Sequence, residues 1–235
     1  MSQFDAYSTL TTKFGQLAPL LIGEKSLFTP RFWDRSNIHV ISEDQVYQPQ
    51  TSSQPSQGDL TRWILPKRAT LLGLPLIEWD IAPGVSAPGA TESAYVNNAG
   101  DQILRTVTMR YGSHILQTYP GEVQQIYRRV MKHEVFEDCR DQLTLGNLRY
   151  TDAGFETIRR DAFNTGLVLY SPLDELWFTH HFDEYWMPEA FATEAELEVT
   201  TKRWGEIIYT DTGVAPGTLP SVNNVTLRIR EVTLT

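Results

Sequence analysis

Residues 101–129, DQILRTVTMRYGSHILQTYPGEVQQIYRR, hold three patterns in one stretch. Ile103, Arg105, Val107 and Met109 share one parity, and Leu104, Thr106, Thr108 and Arg110 the other. A period of two predicts a strand with unlike faces, with Arg105 as the polar exception on the apolar one. Tyr111-Gly112-Ser113-His114 predicts a tight turn, because Gly112 tolerates a positive φ. Ile115 to Thr118 then forms a short return strand. After Tyr119-Pro120-Gly121 the period becomes helical, with Val123, Ile126, Tyr127 and Val130 at i, i+3, i+4 and i+7.

The same criteria divide the rest of the chain. Residues 37–41 and 61–66 predict strands, separated by the polar loop QPQTSSQPSQG at 48–58. Residues 71–81 predict another strand, in which Pro75 marks a bulge or an edge. A loop follows at 82–94. Within 133–163 no period dominates: 134–142 admits a helix, 144–150 a strand or turn, and 154–163 fits neither. Leu167 to Tyr170 is an apolar strand ended by Ser171-Pro172. The longest alternation is at 191–203, where Glu194, Glu196, Glu198, Thr200 and Lys202 oppose Ala195, Leu197, Val199 and Thr201. Residues 204–209 predict a strand end, 211–221 a loop and 225–234 a last strand, whose change of parity near Glu231 suits a bulge.

Upstream, Phe14, Leu17, Leu20 and Leu21 have near-helical spacing broken by Pro19, which predicts an arm or short helix lying on a neighbouring subunit. Phe28, Phe32 and Trp33 form an aromatic cluster beside it. About eight strands with long loops and one or two short helices make a sandwich, with a barrel as the alternative. No repeat of fixed period argues for a solenoid or propeller.

Composition narrows the function more than the fold. With 41% hydrophobic and 21% charged residues, the 235-residue chain has the make-up of a folded globule with a sizeable core. Six Trp, ten Tyr and ten Phe among thirteen Pro and fifteen Gly favour strands joined by loops. The net charge is −9 and no run of Lys or Arg exceeds two, so no direct nucleic-acid binding is expected. Cys139 stands alone, which excludes an internal disulfide framework. Neither a secretory leader nor a transmembrane helix is predicted.

Candidate chemistry is sparse. His180, His181, Asp183 and Glu184 in YSPLDELWFTHHFDEYWMP are the one gathering of metal-capable residues. Adjacent histidines on a strand point to opposite faces, so the segment reads as aromatic packing and no metal is expected. Cys139 lies among charges, no G-x-S-x-G or phosphate-binding glycine loop occurs, and the pairs Glu78/Asp80 and Asp174/Glu175 read as solvent-face acids. No catalytic residue, cofactor or enzyme activity is expected.

Four segments, in order, resemble the jelly-roll capsid proteins of large icosahedral DNA viruses of eukaryotes. They are RWILPKRATLLGLPLIEWD (62–80), the strand-turn-strand-helix unit 95–129, LYSPLDELWF (169–178) with the strand that follows it, and the final VTLRIREVTLT. In the first of them Ala69-Thr70 replaces the usual Gly-Asp of the family. The resemblance implies an all-β, eight-stranded jelly-roll sandwich of two facing antiparallel sheets with short helical insertions, preceded by an arm and linker at 1–57 and occupying 58–235. It implies a structural subunit of a viral capsid, a vertex (penton) or minor protein or one jelly roll of a major capsid protein. The subunit would self-associate as a pentamer or trimer with other capsid proteins, in a virion assembled in the host cytoplasm. Phe14, Leu20, Leu21, Trp33, Trp177 and Trp186 are the expected interface anchors. A carbohydrate-binding jelly roll presenting an exposed tryptophan is the alternative.

Overall fold

Period two becomes sheet wherever one face can be buried. The computed structural model describes residues 40–67, 71–86, 93–130, 144–145, 153–176, 186–188, 193–210 and 216–234. Its strands are β1 (Val40–Tyr47), β2 (Leu60–Ile64), β3 (Leu71–Ile81), β4 (Ser93–Tyr95), β5 (Leu104–Tyr111), β6 (His114–Pro120), β7 (Leu167–Pro172), β8 (Ala195–Thr201), β9 (Ile208–Thr210) and β10 (Val222–Leu234). Its helices are α1 (Ala99–Gln102), α2 (Gly121–Val130), α3 (Ala153–Thr165) and α4 (Trp204–Ile207).

One four-stranded sheet runs β1-β10-β3-β7 and the other β2-β8-β5-β6, while β4 and β9 pair separately. With that short pair set aside, the strands match from the outside inward: β1 with β10, β2 with β8, β3 with β7 and β5 with β6, all antiparallel. A long ribbon of four such pairs, rolled over so that its halves face each other, is a jelly roll. The inner faces supply Trp63, Ile77, Trp79, Val107, Leu197 and Leu227, all at 0% exposure. Burying each such side chain contributes roughly 1.5–3 kcal/mol. β1, at residues 40–47, pairs along its whole length with β10.

Irregularities fall where the pattern was imperfect. Opposite β8, Leu104 pairs with Thr201 and Thr106 with Thr200, so Arg105 is an extra residue in β5. This bulge lets Leu104 and Val107, three apart, both reach 0% exposure while Arg105 stays outside. Pro75 sits inside the sheet, not at its rim. On the β10 side the register slips between Ile229–Pro75 and Glu231–Leu72, where Gly73 and Leu74 face Arg230 alone. The extra residue is in β3, the bulge expected at Pro75, and β10 itself passes Glu231 in unbroken register with β1. On the β7 side regular pairing stops at Leu76–Pro172, and β3 continues instead against the backbone of Trp186, through Leu72 N–H to Trp186 C=O at 2.7 Å and the reciprocal bond at 2.8 Å. Thus the missing proline N–H falls where the ladder is already broken. Gly112 takes the expected positive φ, +56°, in the β5–β6 turn.

Two helices depart from expectation. α3 covers 153–165, where no period stood out, and its Phe163 is fully buried edge-on to Tyr95 with ring centroids 5.9 Å apart. The strand end predicted at 204–209 is split into the single turn α4 and the three-residue β9.

Candidate assembly surface

α2 begins where β6 ends, and Gly121 makes the junction: a Cβ there would lie 2.2 Å from the Leu104 carbonyl oxygen. One turn on, Gln124 is fully buried. Its amide donates to Asp101 Oδ1 at 3.2 Å and to the Pro172 carbonyl, and its oxygen accepts from the Tyr119 hydroxyl at 3.3 Å. A second buried chain runs alongside, from Trp79 Nε1 to Ser171 Oγ at 2.9 Å and from Ser171 Oγ to the Gly100 carbonyl. Buried amides need such partners, and these come from α1, β6 and β7. The network therefore fixes which side of α2 faces the subunit. That side is Gly121 and Gln124, while Val123 and Ile126 stand 36% and 60% exposed. An amphipathic surface helix normally does the reverse.

The neighbouring edge strands continue this surface. Neither β6 (HILQTYP) nor β7 (LVLYSP) contains an Asp, Glu, Lys or Arg. The two strands end their respective sheets, and Gln117 of β6 ties them together by donating to the Glu175 carbonyl just past β7, at 2.7 Å. Ile115, Leu116 and Val168 are 55%, 40% and 45% exposed on them, and Ile158 of α3 is 51% exposed. Charges or an inward proline would blunt such edges against another chain, and an uncharged apolar edge invites one.

The opposite edges, β1 and β2, are built differently. Arg230 bonds Asp44 of β1 at 2.9 Å and holds its carboxyl below the usual range. Arg62 of β2 reaches Glu198 at 2.8 Å, and Arg110 of β5 reaches the same carboxylate at 2.7 Å. Glu198 was expected on a wet face, and it lies there, but the two arginines cover it to 6% exposure. Val46 and Leu60 are exposed on this edge, each amid charged neighbours. Across β1–β10 Glu231 stands directly opposite Glu43. Burial, and then that like charge, raises the Glu231 carboxyl, while burial followed by Asp174 raises Glu175 beside β7.

Of the anchors expected from sequence, Trp186 packs in the core at 3% exposure. Phe14, Leu20, Leu21, Trp33 and Trp177 lie outside the described residues, as do Cys139, His180, His181, Asp183 and Glu184. Among the described residues no group of three or more His, Cys, Asp or Glu side chains is placed to hold a metal ion. No described helix is long and apolar enough to cross a membrane. Sequence reasoning passed over Ile115, Leu116, Val168 and Ile158. The available signal was two apolar strands without a single charge, at either end of one long connection.

No protein-family model matches the sequence, and no curated protein matches it. Solved structures do match in shape. The Faustovirus major capsid protein aligns with 98% of this chain and 61% of its own at 11% identity, with a TM-score of 0.60. PBCV-1 VP54, as fitted into a reconstruction of the virophage Sputnik, aligns with 86% of this chain and 44% of its own at 11% identity and a TM-score of 0.56. The quasi-atomic model of the PBCV-1 capsid gives the same coverage and identity with a TM-score of 0.57. The fold is thus the jelly roll found in these viral capsid proteins, and the chain spans only about half the length of the PBCV-1 proteins.

Proposed function

We propose that the chain is a structural subunit of an icosahedral viral shell and performs no reaction. The observation that carries this reading is the alignment of nearly the whole chain, 98%, with 61% of the Faustovirus major capsid protein. The physics of the fold supports it. A sandwich keeps its core closed while its lateral edges remain available to neighbours. The uncharged β6/β7 edge, with Val123 and Ile126 of α2, offers apolar area that contact with another chain would remove from water. In a closed ring each such contact recurs, so modest pairwise energies accumulate.

In this reading the subunit forms a ring of three or five and resides in the virion, after assembly in the host cytoplasm. The stretch containing Phe14, Leu20 and Leu21 acts as an arm beneath an adjacent subunit, and Trp33 and Trp177 serve as anchors. Trp186 supports β3 from within. Light scattering and native mass spectrometry of the full chain test this. A discrete trimer or pentamer is expected, weakened when residues 1–39 are removed and β1 is left intact. A strictly monomeric mass at high micromolar concentration overturns the assembly role, and identical assembly of both forms overturns the arm.

A further inference from the structure

A recess of about 310 Å³ lies where α3 packs against the β4–β9 pair, lined by Ala94, Tyr95, Val96, Asn97, Arg159 and Tyr209. It shares no residue with the β6/β7 edge. Three of its side chains carry a buried polar atom without a hydrogen-bond partner: the Tyr95 hydroxyl, Asn97 Oδ1 and Arg159 Nε. Tyr95 is only 1% exposed, and burial raises its hydroxyl pKa. Folded proteins leave few buried polar groups unpaired, so three behind the wall of one small recess give it a polar lining short of partners.

Arg159 sharpens the point. Arg62, Arg110, Arg228 and Arg230 each hold a carboxylate, and Arg105 and Arg203, which hold none among the described residues, are exposed to water. Arg159, half-buried, has no carboxylate partner among the described residues. In a chain with 29 acidic and 20 basic residues, a half-buried cation in a concave site without a counter-ion among the described residues is set for an external anion.

We propose that this recess binds a small monocarboxylate. The ligand carboxylate sits on the Arg159 guanidinium. The Tyr209 ring, 53% exposed, offers a flat face to the body of the ligand. One guanidinium among neutral side chains matches a single negative charge. A phosphate dianion would leave charge unbalanced in a protein already at −9. The volume suits a ligand of amino-acid size, at the small end of the roughly 300–1,000 Å³ typical of ligand sites.

The test is an NMR titration of the full chain at constant ionic strength with benzoate, acetate, inorganic phosphate, and a short peptide with either a free or an amidated C-terminus. Saturable shifts confined to the recess are expected with benzoate, weakened at least about tenfold by Arg159→Gln and partly restored by Arg159→Lys. Tyr209→Ala, at an exposed ring that folding does not need, weakens benzoate several-fold and leaves acetate unchanged. That variant keeps the test decisive should Arg159→Gln fail to fold. If the free-ended peptide binds more tightly than benzoate, the source of the carboxylate is a chain end; the reverse order assigns a free small acid. The proposal is overturned by an absence of saturable shifts with every carboxylate, by unchanged binding in Arg159→Gln, or by phosphate binding as tightly as benzoate.

Discussion

The two lateral edges of this sandwich solve the same problem in opposite ways. Both are formed by the outermost strands of the two sheets. At β1 and β2 the chain answers with charge: Asp44 with Arg230, and Arg62 with Glu196 and Glu198. At β6 and β7 it places no charge at all, and α2 turns Val123 and Ile126 outward beside them. Charged edges keep their hydration and repel casual pairing, whereas an apolar edge gains by being covered. The difference teaches which side of the molecule is built to stay in water and which gains by being covered.

Placing a charge on the apolar edge breaks this contrast most directly. Ile115→Asp combined with Ile126→Asp is expected to raise the dissociation constant of the assembly by about 100-fold or more while the monomer stays folded. Val46→Asp, on the other edge, should change it only a few-fold. Sedimentation velocity compares them, and equal effects would erase the distinction between the edges. Next in size is Gln124→Leu, which strips Asp101 and the Pro172 carbonyl of a buried donor. It should cost about 2–3 kcal/mol in urea unfolding and loosen α2 from its orientation. On the charged side, Glu198→Gln keeps the shape but removes the carboxylate between Arg62 and Arg110. With both arginines more than a third exposed, the expected loss is about 1 kcal/mol, shrinking as salt is added.

The smallest effect concerns pH. The Glu175 and Glu231 carboxyls lie above their ordinary range in the folded chain, so the folded state holds their protons more tightly than the unfolded state does. Their contribution to stability is greatest in acid and declines as pH rises through the raised folded values. Asp44 runs the other way, contributing above its unfolded value and losing that contribution as pH falls through its lowered folded one. Thermal melts from acid to neutral pH should therefore show Glu231→Gln flattening the decline and slightly stabilising the protein at neutral pH. A steeper decline in the variant contradicts the burial of that carboxyl.

Much of the sheet was legible because period two has one physical cause. β3 coincides with the strand expected at 71–81, and β8 buries Ala195, Leu197, Val199 and Thr201 as its alternation required. The bulge in β3 was readable from Pro75, whereas the break in parity near Glu231 is not a bulge of β10. The orientation of α2 was not. Its period announces a helix, but what turns Gln124 inward is Asp101 and Pro172, 23 and 48 residues away. Nor could α3 be read, since its Phe163 finds Tyr95 only through the tertiary fold. The unpaired arginine of the recess was equally hidden. Arg159-Arg160 reads as a solvated pair, and nothing local tells which of the two lacks a carboxylate.

The position of β10 has a consequence for how the molecule comes into being. It separates β1 from β3, so neither of those strands has its inner neighbour until residues 222–234 have left the ribosome. Contacts spanning so much chain form slowly, and the waiting strands expose their apolar faces meanwhile. Production of this protein should respond to chaperone supply and to slower translation more than to any single stabilising substitution in the half already synthesised.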